Sequence, residues 1–373
     1  MKFKLKKSDH LNKFQLFNKI EKLKMSTHEN KSVNSDSLVF YYMDEKLYLY
    51  ASNTISSALI YLCDMTDDFK NFAIDGKLFT NAFSNFPTDE VQFAFLEEEN
   101  QLVFGNKKTR VSLKTSNVDD METRLKNEFF IDKDLAYDKL NSSNFYDAFK
   151  YTAFSCAPDF DEYPYSSIMF FIEKNKFNAQ SSDKHRISVF GNPYNNEVSY
   201  LISRNQAELS LSFLNRDNQF SYCIYKNKFL LRWQDNLFVT ALDANSYQSV
   251  FNGFNKFFTQ STLITSFKID KNELSKSIKF VSNISGSHTY HMKSNGSELV
   301  ISSSSNDKGA VADKIALEEE ISDIEVSYLT NHFIKVFELL QDDILELSFF
   351  DYNGYTICTV ENTYFKHIMF PME

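Results

Sequence analysis

The sequence predicts an α+β fold in which one unit, two helices packed on antiparallel strands, is repeated three times. Three observations predict it. The chain has 373 residues, more than one core organises, since domains run about 100 to 200 residues. Amphipathic segments of one type recur at intervals of a third of the chain. Each is followed by the same succession of polar turn, alternating strand, turn and further strands.

The helical segments come first. Residues 75–87 (DGKLFTNAFSNFP), 203–215 (SRNQAELSLSFLN) and 328–341 (YLTNHFIKVFELLQ) space their apolar residues at three or four, the period of an amphipathic helix. This makes Phe83, Leu211 and Phe337 equivalent. A further helix opens each third, over Asp9–Lys24, Ser143–Cys156 and Asp270–Asn283, with Asp9, Ser143 and Asp270 as N-caps.

Strands follow by alternation. The passages VQFAFLEEENQLVFGNKKTRVSL from Val91, FSYCIYKNKFLLRWQDNLFVTAL from Phe220 and ILELSFFDYNGYTICTV from Ile344 carry Glu-Asn, Lys-Asn and Asn-Gly for hairpin turns. Their period of two puts one face of each sheet on a core. Polar, charged passages near 117–134 and 252–265 read as connectors. Domains are therefore expected over 1–125, 126–255 and 256–373. An open sheet exposes its edge strands, so joining neighbours edge to edge, and the chain's two ends to another copy, would close a ring by head-to-tail contacts.

Composition narrows the function. With 43% hydrophobic residues and 38 Phe against one Trp the chain has ample material for packed interiors. Eight Gly and five Pro leave little for a glycine-rich phosphate cradle. Cys63, Cys156, Cys223 and Cys358 lie far apart with no CxxC pair, which argues for reduced core thiols rather than disulfides or structural zinc. The start, Met1–Leu5, alternates Lys with apolar residues, so neither a signal peptide nor a membrane span is expected, and the location expected is cytoplasmic. Enzyme readings are weak. Cys156 with His185 lacks a catalytic cysteine context, His288 and His291 form an incomplete metal set, and the acidic runs Glu97–Glu99 and Glu318–Glu320 lack the interleaving of a calcium loop or two-metal site. No catalytic residue, metal or cofactor is expected.

The net charge of −10 argues at first against a nucleic-acid partner, but distribution matters more than the sum. Counted over residues 9–24, 75–86, 144–155, 203–216, 270–283 and 329–341, the six helical segments hold 12 Lys and Arg against 8 Asp and Glu, a positive balance inside an acidic chain. The residues concerned are Lys13, Lys19, Lys22, Lys24, Lys77, Lys150, Arg204, Arg216, Lys271, Lys276, Lys279 and Lys335. Taken singly, each reads as a solvated helix face. Taken together, they suit a polar lining that meets phosphate weakly enough to slide.

Three local matches then add to the repeat. MKFKLKKSDHL at the start, SSDKHRISVF over Ser181–Phe190 and HIMFPME over His367–Glu373 resemble, in order and spacing, the opening strand and helix, the TDGHRLAV turn and the closing VVMPM segment of the bacterial DNA polymerase sliding clamps, the β processivity subunits. The resemblance spans nearly the whole chain. It implies a non-enzymatic homodimeric ring of six domains around duplex DNA, helices lining the hole, that tethers the replicative polymerase and is loaded by a clamp loader. It also implies a partner-peptide pocket formed by Ser182, Lys184, His185, Arg186, Ile187, Tyr247, Val250, Ile368, Met369, Phe370, Pro371 and Met372, and a subunit contact of Val111 and Leu113 against Phe280 and Val281. The alternative for the last four is that each sits in its own domain core.

Several positions depart from the pattern. Lys184 stands where the family has Gly, Ser249 where Arg is common, and Asn245 and Ser246 replace its Phe-Pro-Asp. The loop Ser155–Tyr165 is acidic where the family touches DNA, although Tyr163 and Tyr165 offer stacking surfaces. Scarce Gly with abundant Phe, Asn and Lys suits a divergent, AT-rich source such as a phage, which would place the protein in an infected host cell. The competing reading from another class is a DNA-free oligomeric adaptor on the same scaffold.

Overall fold

The structure, a computed structural model, describes residues 2–22, 37–53, 55–66, 70–118, 120–158, 163–173, 176–192, 199–214, 219–243 and 248–372, apart from the side chains of Asn18, Lys19, Glu21, Lys22, Gln248, Ser249, Asn252, Asn255 and Phe258. Lys24, Arg216, Asn245, Ser246 and Tyr247 therefore lie outside the described residues, as do the side chains of Lys19 and Lys22. The chain forms two compact units, Met1–Tyr146 with Asn205–Asp243, and Asp147–Arg204 with Ala244–Glu373. No helix among the described residues is long and apolar enough to cross a membrane.

Helices form at all six expected places: α1 Lys7–Lys22, α2 Gly76–Ser84, α4 Ser142–Ala153, α5 Arg204–Phe213, α8 Lys271–Ser285 and α9 Thr330–Leu339. Of three more, α3 Met121–Phe129 and α7 Asn255–Gln260 occupy the passages read from sequence as connectors, and α6 Gln248–Gly253 runs into the second of these. The starts of α2, α5 and α9 are 128 and 126 residues apart, which makes Phe83, Leu211 and Phe337 the eighth residue of each. Phe83 and Phe337 are buried; Leu211 is half-buried, and Phe213 and Leu214 fill that core instead.

All strand pairing is antiparallel. The first unit holds one 12-stranded sheet that passes from Ser56–Asp64 directly into Asn236–Ala241, with Leu59 opposite Leu237 and Ser56 opposite Thr240. The second holds an eight-stranded sheet that passes in the same way from Arg186–Phe190 into Phe365–Met369, and a separate four-stranded sheet over residues 289–329. These two seams join strands about 180 residues apart in sequence and satisfy backbone groups that a bare edge would leave to water. The hairpin turns Lys226-Asn227 and Asn353-Gly354 have φ of 49° and 56°, and of 53° and 85°, the left-handed pair that a two-residue loop between twisted strands demands.

The first and last thirds share a fastening. Where α1 leaves its strand, Lys7 N donates to Asp89 O at 2.7 Å, and Lys7 Nζ to Phe86 O, just past α2, at 2.7 Å. Where α8 leaves its strand, Lys271 N donates to Asp343 O at 2.8 Å, and Lys271 Nζ to Leu340 O, just past α9, at 2.9 Å. A lysine at the first helical position thus holds a carbonyl beyond the end of the companion helix, where unpaired acceptors collect.

Two of the three expected N-caps are corrected. The helix α1 begins at Lys7, straight out of the strand Lys2–Lys6, so Asp9 lies in the first turn. The amide of Ser8 is satisfied from a distance by Asp89 Oδ1 at 2.7 Å. In α4 the acceptor is Asn141, whose Oδ1 receives Asn144 N at 3.1 Å, and Ser143 is inside the helix. Asp270 does cap α8, accepting from Glu273 N at 2.8 Å.

Phenylalanine builds the cores because it fills volume without a polar tip to satisfy. Phe14 of α1 meets Phe79 and Phe83 of α2 edge-on, with centroids 4.9 and 4.8 Å apart, and Phe40 stacks on Phe72 at 4.9 Å. In the last third Tyr290 meets Phe333 edge-on at 5.6 Å. The opposite face of the first seam is closed by α3, whose Met121, Leu125 and Phe129 pack with Tyr50, Leu59 and Val239.

Replacing Asp270 by Ala removes the α8 cap and is expected to cost about 1 kcal/mol. Chemical denaturation of the variant, with hydrogen exchange at the amides of residues 271–273, checks this.

Candidate functional site, an aromatic pocket on the second seam

The turn between Lys176–Ser182 and Arg186–Phe190 is held by its own side chains. Asp183 Oδ1 accepts from the amides of His185 and Arg186, both at 3.1 Å, and Ser182 Oγ accepts from Lys184 N at 3.0 Å. Lys184 adopts φ 76°, the left-handed region where glycine is the easy residue. The turn is tied to the final segment by Phe370 N donating to His185 O at 3.0 Å.

Alternation along the seam sorts the residues that follow. Ile187 lies opposite Ile368, and Val189 opposite Lys366; Ile187, Val189 and Ile368 join Phe251 and Phe254 of the α6–α7 segment in one buried cluster. Arg186 lies opposite Met369, and Ser188 opposite His367, and this set turns to the other face. Above the first set opens a cavity of about 640 Å³ lined by Tyr165, Ser182, Lys184, His185, Ile187, Phe254, Phe257, Tyr352, Tyr355, Phe370, Pro371 and Met372. Its wall is aromatic, with Phe257 4.4 Å from Tyr352 and 4.9 Å from Phe370 between centroids. On its rim Lys184 Nζ stands 5.1 Å from the ring centre of Tyr165. A concave apolar site with a few polar groups at the edge suits large side chains of an extended partner.

The structure brings Ser182, Lys184, His185, Ile187, Phe370, Pro371 and Met372 together around this cavity. Of the others, two face away from it. Met369 is fully buried on the opposite face, and Ile368 is a buried residue of the floor. Arg186, facing away from the cavity, donates to Asp183 Oδ2 at 2.8 Å and to Phe154 O at 2.7 Å. Val250 is half-buried against the same apolar cluster. Sequence reasoning missed Phe254, Phe257, Tyr352 and Tyr355 and gave Tyr165 another task. The signal was there: Phe251, Phe254 and Phe257 follow one another at helical spacing.

Beneath the pocket lies a polar layer. Burial lowers the Arg186 pKa and the Asp183 carboxylate opposes that. His332 Nε2 is 3.9 Å from Asp183 Oδ2; burial, with Arg186 adding to it, lowers its pKa to about 4. His367 is wholly buried, receives or donates one bond to Ser188 Oγ at 2.8 Å, and is held neutral by burial well below the usual imidazole range.

The lysines of the helices divide. Lys77, Lys276, Lys279 and Lys335 are exposed, and Lys150 and Arg204 half-buried. Lys13 and Lys271 are committed elsewhere: Lys13 Nζ donates to Tyr61 O at 3.0 Å, and burial lowers its pKa, while Lys271 fastens α9. Among the four expected contact residues, Phe280 is 49% exposed and Val111 half-buried, whereas Leu113 is buried and Val281 is fully buried in its own unit. Ile284, one turn beyond Phe280, is 54% exposed, so the apolar surface of α8 is Phe280 with Ile284.

Both histidines, His367 buried and His332 half-buried, bind protons better in the unfolded chain, so stability falls as pH drops below about 6.5 and, for His332, continues to fall toward about 4. The expected slope is about 1.4 kcal/mol per pH unit for each histidine. Denaturation at pH 7, 6 and 5 should show it, with a shallower slope in His332→Gln.

No protein-family model matches the chain, and no curated protein matches its sequence. Its structure is similar from end to end to solved sliding clamps. The DNA polymerase III subunit beta of Borrelia burgdorferi, in complex with a natural product, superposes with a TM-score of 0.82 at 12% identity over 100% of this chain and 99% of that one. A putative DNA polymerase III beta subunit from Eubacterium rectale gives 0.80 at 16% over 100% of both. The DNA polymerase sliding clamp of Bacillus subtilis gives 0.79 at 13% over 100% and 99%. The chain has the fold of the DNA polymerase III beta sliding clamps, carried by a sequence that has diverged far from theirs.

Proposed function

We propose that the protein is a DNA polymerase processivity factor, a non-enzymatic cytoplasmic ring that encircles duplex DNA, slides along it and tethers a polymerase and a clamp loader through the aromatic pocket. The observation that carries this reading is the likeness of fold over the entire chain to sliding clamps. The repeat supports three domains, 1–125, 126–255 and 256–373, and so a head-to-tail dimer of six. Two strands have edges suited to closing it. Among the described residues Arg110–Lys114 pairs on one side only, with Gln101–Gly105, and Gly309–Ala316 is the outer strand of the four-stranded sheet. Pairing of these between copies would set Val111 near Phe280 and Ile284, a small apolar contact that holds a ring yet lets it open. In such a ring Lys77, Lys276, Lys279 and Lys335, exposed among the described residues, would meet phosphate weakly enough to slide.

Loaded onto nicked circular DNA by its loader, the protein is expected to stay on the circle in high salt and to leave when the circle is cut. Equal retention on linear DNA would refute encirclement. At the pocket, Phe370→Ala removes the ring packed on Phe257 and is expected to weaken binding of a polymerase-derived peptide about tenfold or more. Fluorescence anisotropy checks this, and unaltered affinity would remove the pocket from the proposal.

A further inference from the structure

The two strand edges suited to meeting between copies carry opposite charges, and carry them at opposite ends. The edge that opens at Arg110 is basic: residues 106–114 hold Lys107, Lys108, Arg110 and Lys114 and no Asp or Glu. Asn106 fastens the turn before it, its Oδ1 accepting from the amides of Lys108 and Thr109, both at 2.8 Å. Lys107, Lys108 and Arg110 are exposed, and none is paired with a carboxylate among the described residues. The edge Gly309–Ala316 ends in acid. Glu318, Glu319 and Glu320 lie just past it, all exposed. They are anchored on both sides, Leu317 N donating to Ser297 O at 2.7 Å and Ile321 N to Gly296 O at 3.1 Å. Within that strand Lys314 is already paired with Glu298 at 2.8 Å.

Resting on the ring reading above, we propose that these two runs form an ionic clasp between copies of this chain, which selects head-to-tail pairing and loosens the ring as salt rises. Both edges already belong to antiparallel ladders, and an antiparallel pair sets the start of one strand against the end of the other. Lys107, Lys108 and Arg110 of one copy thus meet Glu318, Glu319 and Glu320 of the next. The basic edge paired with itself would instead bring Lys107, Lys108 and Arg110 to Lys114. A single exposed ion pair contributes little. Opposed runs, each held in place by backbone bonds, steer unlike ends together and reject like ones. Val111 with Phe280 and Ile284 supplies the apolar part of the same contact, which screening by salt leaves in place.

Sedimentation velocity of the full-length protein tests the clasp. The dimer dissociation constant is expected to rise about tenfold from low to high NaCl. A variant with Lys107→Glu, Lys108→Glu and Arg110→Glu, and a second with Glu318→Lys, Glu319→Lys and Glu320→Lys, should each be monomeric where the wild type is dimeric. Mixed in equal amounts the two should dimerise again, because both contacts of a mixed head-to-tail ring then join unlike charges. That recovery also shows that each variant is folded. Dimerisation of either variant alone as tight as that of the wild type, or no recovery on mixing, overturns the clasp. If Phe280→Asp abolishes the dimer while the charge variants keep it, the ring stands without the clasp. A wild-type chain that stays monomeric at every salt concentration overturns the ring itself.

Discussion

The antiparallel seams carry the rest of the structure. A sheet that stopped at Ser56–Asp64 or at Arg186–Phe190 would present a row of unpaired amides and carbonyls, and each row is instead closed by a strand from another part of the chain. Because side chains alternate across a strand, the register of a seam decides which residues it offers to which face. A slip of one residue in the pairing of Ile187 with Ile368 would exchange the apolar floor of the pocket for Arg186 and Met369. The seam therefore specifies the floor of the cavity as well as the joint. It is built from contacts distant in sequence, which makes the topology costly to reach and puts local helix formation and phenylalanine burial first among the forces that guide the chain there.

The phenylalanine content has the same root. With one Trp and few Gly, the chain fills its interiors by stacking and edge-on ring contacts, from Phe14 with Phe79 and Phe83 to Phe257 with Phe370. In the closed cores these rings are wholly surrounded. At the second seam the same ring-on-ring packing continues to the surface, and there it becomes the wall of a site.

Much of this was legible in the sequence, for physical reasons that can be named. The six long helices announce themselves because burial on one face imposes a spacing of three or four, and Asp270 announces a helix start because its side chain suits an orphan amide. The halves of the pocket, Ser182–Ile187 and Phe370–Met372, were reached through their likeness to known motifs. The split between Ile368 and Met369 was within reach of strand alternation alone. What local pattern could not yield were bonds to backbone atoms far along the chain. That Lys271 would hold Leu340, or Asp89 the start of α1, depends on where the fold brings a carbonyl or a turn, and the residue types carry no trace of it. The helix α3 was hidden differently: Met121, Leu125 and Phe129 keep a helical spacing, but the charges between them read as a linker.

One contrast has a wider bearing. The first seam is roofed by α3, a single helix of nine residues, and the second by α6 and α7, two helices of six residues each that meet at Phe254. The frame beneath is the same device in both places. A short intervening passage, through which no sheet hydrogen bond runs, thus decides whether a joint becomes a sealed roof or the floor of an open cavity. The lining of such a cavity can be rewritten by changes in a few surface residues while the sheet that bears the load is left as it is.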